Sequence, residues 1–426
     1  MSSVTPTLSE HSPYARWFST PQLPEAFHFG GLRLPENLIY LDHAASTPLD
    51  ARVLGAMLPW MRELYGNPAN RLHPMGEVAE HGLALARRTV AEAIGVDFEE
   101  VVFCSSATEA NNLVLRGLVE NPLRRRNTIV VSATEHSSVL TTLETLGQHG
   151  IRIKTLPVDA SGQISLESAV QSIDADTLAV CVMDVNNETG IQQTKLNAIA
   201  GIAREHGAVF HVDAVQGFAR HHFHTGATEF DTATLSGAKI YAGKGAAALI
   251  VRKKQPRIRI APQLTGGGHE GGLRSGTPNL PAIAGFAEGI RLQVLERHDR
   301  LHYLSHLESI FVSSLQGQID ATVVGQDSPR VPGILTIRIA NVNAMKLIEN
   351  MKIMCVSAGS ACKTLQATTS HVLKSMGLDE EEALASFRIS IGLTNTEAEM
   401  SRSAHLISKT SVELRSHSAV WPVAKN

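Results

Sequence analysis

Lys239, Asp213, His136 and Cys362 are the residues on which chemistry could turn, because the first three follow short apolar runs and the fourth sits among small and polar residues. Thr232–Leu235 leads into Ser236-Gly237-Ala238-Lys239, and Gly243 and Gly245 lie just beyond, so the lysine amine can reach into a cleft. Val209–Val212 runs directly into Asp213, with Gln216 one turn on. An apolar strand that ends in a carboxylate places an acid where cofactors bind. Thr128–Ser132 precedes Ala133-Thr134-Glu135-His136, and Leu178–Met183 precedes the polar stretch Asp184–Gly190, which contains Asn187. Val101–Phe103 precedes Cys104-Ser105-Ser106-Ala107-Thr108-Glu109, where Ser106 and Glu109 fit a capping box. The free N–H groups and dipole of such a helix start attract a phosphate. Taken singly, each feature also has an ordinary reading as a helix cap, a structural histidine or a solvated lysine.

The elements that must position these residues alternate between short apolar runs and helical patterns from about residue 78 to 295. Ala79, Leu83, Ala86, Val90 and Ala93 lie on one face of a helix. Ser106–Arg116 and Leu196–His206 read as further helices, and Ala246–Val251 as a further strand. This alternation predicts an α/β fold with a mostly parallel sheet flanked by helices. Ligands in such sheets bind beyond the C-terminal strand ends, which is where the polar residues above fall. After about residue 296, a helix over Arg297–Gln316 and strands near Ile334–Ile339 and Arg388–Ile391 predict a smaller α+β domain. The expected division is a large domain over residues 48–296, with residues 1–47 and 297–426 forming the small one.

Composition excludes several classes. A chain of 426 residues with 43% hydrophobic residues can bury a core, and a formal net charge of −3 gives no overall case for nucleic acid or an anionic membrane. No apolar run approaches the roughly 20 residues needed to span a bilayer. The four cysteines, Cys104, Cys181, Cys355 and Cys362, form no C-x-x-C pair, which argues against a disulfide framework and a structural metal site. That usage fits a reducing, cytoplasmic setting. The first 30 residues contain one Arg and no Lys, against a transit peptide, and residues 1–35 read as an extension.

In combination, a phosphate-binding helix start, a histidine, a carboxylate and a lysine on successive strand ends match what pyridoxal 5′-phosphate requires: a lysine for a Schiff base, an acid for the pyridinium nitrogen and an anion site. The chain resembles the cysteine desulfurases of the NifS/IscS type, within the class V aminotransferase-like, fold-type I pyridoxal-phosphate enzymes. The segments that carry the resemblance are Tyr40-Leu-Asp-His-Ala-Ala-Ser-Thr-Pro48, Gly66-Asn-Pro-Ala69, Ser106-Ala-Thr-Glu109, Thr134-Glu-His136 and Val185-Asn-Asn-Glu188. They continue with His211-Val-Asp-Ala-Val-Gln216, Ser236-Gly-Ala-Lys-Ile-Tyr241, Gly266-Gly-Gly-His-Glu270, Arg274-Ser-Gly-Thr277 and Ser357-Ala-Gly-Ser-Ala-Cys362.

The resemblance implies roles. Lys239 would join the cofactor covalently and shuttle the Cα proton, Asp213 would pair with the ring nitrogen, Gln216 would meet the phenolic oxygen, and His136 would stack on the ring and assist proton transfer. Ala107, Thr108 and Ser236 would hold the phosphate, with Thr277 reaching the phosphate of a neighbouring subunit, which implies a homodimer. Asn187 and Arg388 would hold the substrate carboxylate. Cys362, in a loop over residues 357–370, would take sulfur from L-cysteine as a persulfide, leave L-alanine, and pass the sulfur to an acceptor protein such as an iron–sulfur scaffold. Lys363 beside it would favour the thiolate.

Two departures stand out. The family carries histidine immediately before the lysine, where this chain has Ala238, and Tyr-Gly-Pro-Lys-Gly where it has Tyr241-Ala-Gly-Lys-Gly245. Ala238 predicts weaker phosphate binding unless another cation, such as Lys244 or His269, replaces the missing donor. Alternative readings are a selenocysteine lyase or another class V lyase or transaminase, and a weakly active paralogue that serves as a binding partner in a sulfur-transfer assembly.

Overall fold

The computed structural model describes residues 34–358 and 369–417. Its strands, in chain order, are β1 (Ile39–Tyr40), β2 (Val101–Cys104), β3 (Thr128–Ser132), β4 (Arg152–Leu156), β5 (Thr177–Met183), β6 (Val209–Asp213), β7 (Thr232–Ser236), β8 (Ala247–Val251), β9 (Thr322–Val323), β10 (Ile334–Arg338), β11 (Met354–Cys355) and β12 (Ser386–Ser390). Seven of them form the main sheet in the order β2-β8-β7-β6-β5-β3-β4. The run from β7 to β4 is parallel, and β8 is antiparallel to both its neighbours. Two reversals restore the direction, so β2 points the same way as the parallel run. The C-terminal ends of β2, β3, β5, β6 and β7 therefore share one edge.

These strands form because their residues are apolar on both faces and can be covered by helices on each side. Within β2, Val101 and Phe103 face one apolar layer while Val102 and Cys104 face the other, as the two-residue period of a strand requires. The first layer adds Phe210, Val212 and Phe286, and the second adds Ile129, Val131, Leu143 and Leu249. In the main sheet the expected strands recur within about a residue of their predicted bounds, whereas β12 begins two residues before the expected Arg388. The addition is β4, an edge strand whose Arg152 to Thr155 are exposed or half-buried, so its sequence carries little apolar signal.

The Ala107–Val119 helix begins as predicted, with Ser106 Oγ accepting the Glu109 N–H at 3.1 Å. The reciprocal half of the capping box does not form. The Glu109 carboxylate instead accepts from the Ser105 N–H at 2.8 Å and from Arg274 Nε at 2.7 Å.

A second group of elements packs separately. β12, β10 and β9 form an antiparallel sheet, and β1 pairs in parallel with β11. Their apolar cluster includes Leu41, Phe311, Ile337, Phe387 and Ile407. Asp42 bridges to Ser390, which brings the end of β1 alongside β12. Among the described residues, no helix is long and apolar enough to cross a membrane.

Glu270 ties the Gly-rich segment around it to the main sheet. Its carboxylate takes two hydrogen bonds from Arg87, at 2.7 and 2.8 Å, and one from the Phe103 N–H at 2.8 Å. Glu270 also adopts a φ of 53°, a left-handed conformation that a side chain with a Cβ disfavours, and these bonds offset that cost. Removing one partner of a buried pair leaves the other uncompensated. Glu270→Gln should therefore lower stability by about 3 kcal/mol, measured as a shift in the urea midpoint. An unchanged midpoint would show that the pair contributes nothing net.

Candidate functional site

The C-terminal sheet edge opens onto a cavity of about 460 Å³. Residues from five strand ends line it: Ala107 and Thr108 after β2, His136 after β3, Asn187 after β5, Asp213 and Gln216 at β6, and Ser236 and Lys239 at β7. Arg388, from the middle of β12, closes it from the second group of elements. Nine residues singled out from sequence thus meet in one place. Thr277 does not join them; it is exposed and outside the cavity lining. Cys362 lies outside the described residues.

The Asp213 carboxylate is almost wholly buried, and its position is set by two donors. The Val215 N–H meets Oδ1 at 3.1 Å and Asn111 Nδ2 meets Oδ2 at 2.9 Å. A second acid sits close behind. Glu135 Oε1 accepts the Met183 N–H at 2.5 Å, which joins the ends of β3 and β5. Burial, and then the charge of Asp213, push the Glu135 carboxyl well above its ordinary range, which favours its neutral form. The Lys239 amine donates to the Ala45 carbonyl, and Gln216 Nε2 donates to the Ala44 carbonyl at 2.9 Å. Both contacts hold the segment after β1 against the cavity.

His136 caps the Ser137–Gln148 helix and has its pKa lowered, chiefly by burial. On the opposite side Arg388 Nη2 bonds Asp42 at 2.6 Å and Nη1 bonds the Asn187 carbonyl at 3.0 Å. Its Nε is buried without a partner among the described residues. That leaves a guanidinium with unused donor capacity at the cavity wall, suited to a carboxylate.

Several site residues escaped the reading of strand ends. Glu188 and His371 line the cavity; Glu188 accepts from Ser370 Oγ at 2.5 Å, and His371 Nε2 lies 3.0 Å from the Glu135 carbonyl. Asn111 stands behind Asp213, one turn into the helix that starts at Ala107. Its helical spacing from Ala107, four residues, was the available signal. The polar stretch after β5 is partly structural: Asn186 accepts the Glu188 and Thr189 N–H groups, both at 2.9 Å, and donates to the Thr134 carbonyl.

Comparison with known proteins agrees with this geometry. Residues 39–402 match the Aminotransferase class-V family, and the chain belongs to that family. It is 39% identical over 384 residues to a protein named cysteine desulfurase IscS from Rickettsia bellii, a match that spans 90% of this chain and 93% of that one. A solved NifS-like protein superposes with a TM-score of 0.81 at 33% identity, covering 87% of this chain and 98% of the other. SspA, solved in complex with cysteine, superposes with a TM-score of 0.75 at 31% identity, covering 84% and 100%. The fold is that of the fold-type I enzymes.

Pyridoxal phosphate is the cofactor of this family, and the residues present fit it. The Ala107 and Thr108 N–H groups start a helix and have no acceptor among the described residues, which suits the phosphate. A buried carboxylate at the end of β6 and an amine in the turn just after the adjacent β7 line the cavity, as the ring nitrogen and aldehyde require.

The departure at Ala238 persists in the folded chain. Ala238 lines the cavity and its carbonyl accepts from the Thr47 N–H and hydroxyl at 3.0 and 3.1 Å. Neither Lys244 nor His269 lines the cavity, so neither replaces the family's histidine as a donor. A charge-assisted hydrogen bond contributes roughly 1.5–3 kcal/mol, equivalent to about 10- to 100-fold in affinity. Ala238→His should therefore slow cofactor loss on dialysis by about that factor, followed by absorbance. Equal or faster loss would show that the anion site is already complete.

Proposed function

We propose that this chain is a pyridoxal-phosphate-dependent cysteine desulfurase that converts L-cysteine to L-alanine and carries the sulfur on Cys362 for delivery to an acceptor protein. The observation that carries the reading is the amine of Lys239, in the turn after β7, and the buried carboxylate of Asp213 at the end of the neighbouring β6, opening onto the same cavity as two helix N–H groups that have no acceptor among the described residues.

When bound, pyridoxal phosphate supplies an electron sink for bond breaking at the substrate Cα. In this reading Lys239 would hold it covalently and would move the Cα proton with Nζ. Asp213 would meet the ring nitrogen, Gln216 the phenolic oxygen, and Ala107, Thr108 and Ser236 the phosphate. His136 would stack on the ring. Asn187 and Arg388 orient the substrate through its carboxylate. The Cys362 thiolate then attacks the substrate sulfur. An S–S bond forms, the C–S bond breaks, and the carbon keeps the electron pair and takes up a proton. Cysteine plus an enzyme thiol thus becomes alanine plus an enzyme persulfide.

The other three cysteines are poorly suited to this step. Burial pushes the Cys104 and Cys181 thiols up, and burial with nearby Asp42 pushes up that of half-buried Cys355. A raised thiol pKa leaves little thiolate to attack sulfur. The acceptor is a protein partner, with an iron–sulfur scaffold as one fitting class, in a reducing, cytoplasmic setting. Residues 48–296 serve as the cofactor domain, and residues 1–47 and 297–426 as the smaller domain. The exposed Thr277 fits a homodimer in which it serves the partner's phosphate site, and a dimeric mass in solution scattering is the expected result.

Lys239→Ala should abolish turnover and the visible absorbance of the bound cofactor. Cys362→Ser should keep that absorbance and its change on adding cysteine, yet yield no persulfide and little sulfide. Serine at Cys104, Cys181 or Cys355 should leave most activity. Normal turnover in Lys239→Ala, or persulfide mapped to one of the other three cysteines, would overturn the assignment.

A further inference from the structure

The hydrogen bonds behind His136 run in a single direction. His136 Nδ1 accepts the Ser138 backbone N–H at 3.1 Å. A ring nitrogen that accepts from an N–H keeps its lone pair free and carries no proton. The same Nδ1 lies 2.9 Å from Ser138 Oγ, and the direction of that bond is decided from the other side. Asn111, fully buried, places Nδ2 at 2.9 Å from both Asp213 Oδ2 and Ser138 Oγ. A carboxylate only accepts, so the Asn111 amide nitrogen must face Asp213, and its Oδ1 faces His211 Nε2 at 3.2 Å. His211 is then the donor at Nε2, and its Nδ1 accepts from Thr232 Oγ1 at 2.9 Å. Burial, which lowers the His211 pKa to about 4, keeps that ring neutral and fits this single-proton pattern. Ser138 Oγ therefore accepts a hydrogen bond from Asn111 Nδ2 and donates one to His136 Nδ1. The chain reads Thr232 to His211 to Asn111 to Ser138 to His136, with a branch from Asn111 to Asp213.

We infer that Asn111 and Ser138 are positioning residues that hold His136 in the tautomer with its proton on Nε2, so that the ring offers a donor to the cavity it lines. Nε2 has no hydrogen-bond partner among the described residues. In this tautomer Nε2–H can donate a hydrogen bond into the cavity and cannot accept one there, and the lone pair that takes up a proton is the one on Nδ1. The mechanistic meaning rests on the proposed desulfurase reading, whereas the tautomer is a property of the chain alone. Helix capping accounts for the Ser138 N–H bond only. It requires neither the Ser138 hydroxyl nor the second Asn111 donor. The charges that face the ring are Asp213, Lys239, His371 and Glu188. Burial is the largest influence and lowers its pKa; Asp213 and Glu188 oppose this, while Lys239 and His371 reinforce it.

The test is nitrogen NMR of the full-length protein labelled with 15N-histidine, without added cofactor or cysteine, with His136→Gln identifying the signal. The wild-type ring should show the Nε2–H tautomer at neutral pH. Ser138→Ala removes one of two donors to Nδ1 and so favours the protonated ring. Its His136 pKa should rise by about 0.5 to 1 unit, the Nδ1–H population should grow, and Ser138→Thr should restore both. An Nδ1–H or doubly protonated ring in the wild type would overturn the inference. So would a Ser138→Ala titration that matches the wild type. Because the readout needs no turnover, loss of the desulfurase reading would leave this result standing, and the reverse also holds.

Discussion

Asp213 brings a carboxylate to the end of a strand buried on both faces, and much of the surrounding structure exists to satisfy that charge. A buried ion without partners is costly enough to prevent folding or to neutralise itself. Here two aimed donors, the Val215 N–H and the Asn111 amide, hold it from the protein side. Burial and the charge of Asp213 push the neighbouring acid, Glu135, toward its neutral form. The branch through Asn111 reaches Ser138 and His136, so the group expected to sit beneath the ring nitrogen and the group expected to stack on the ring belong to one network.

The opposite wall obeys a similar constraint. Arg388 lies within β12, bonded to Asp42 at the end of β1 and to the Asn187 carbonyl after β5. It thereby couples the smaller sheet to the edge of the larger one at the point where a substrate carboxylate would bind. Ser390 Oγ accepts the Ala44 N–H at 2.8 Å, and the Ala44 and Ala45 carbonyls accept from Gln216 and Lys239. The short segment after β1 is therefore a clasp between the two groups of elements, held by polar side chains from both.

The fold was legible where physics leaves a strong local mark. Strands buried on both faces are largely apolar, so β2, β3, β5, β6, β7 and β8 could be read directly, and all of these but the antiparallel β8 lead into polar residues that line the cavity. The edge strand β4, half exposed, left no such mark. The site was legible where a residue stands at a strand end, as with Lys239 and Asp213. Asn111, Ser138 and His211 were not singled out, because their roles depend on which atoms meet across elements about 20 to 100 residues apart. The Ser106 cap illustrates the same limit. The cap itself is local and formed, while Glu109 turned to Arg274, a partner 165 residues away that no local motif encodes.

The central claim is that cysteine sulfur moves to Cys362 as carbon leaves as alanine. The direct measurement is one turnover of the wild-type enzyme, loaded with pyridoxal phosphate, on L-cysteine with no reductant or acceptor present. Alanine and protein-bound sulfane sulfur are then quantified together and the bound sulfur located by peptide mass spectrometry. The account predicts equal amounts of the two, with the sulfur on Cys362. Pyruvate in place of alanine, or alanine formed with the sulfur released and none bound to Cys362, would contradict it.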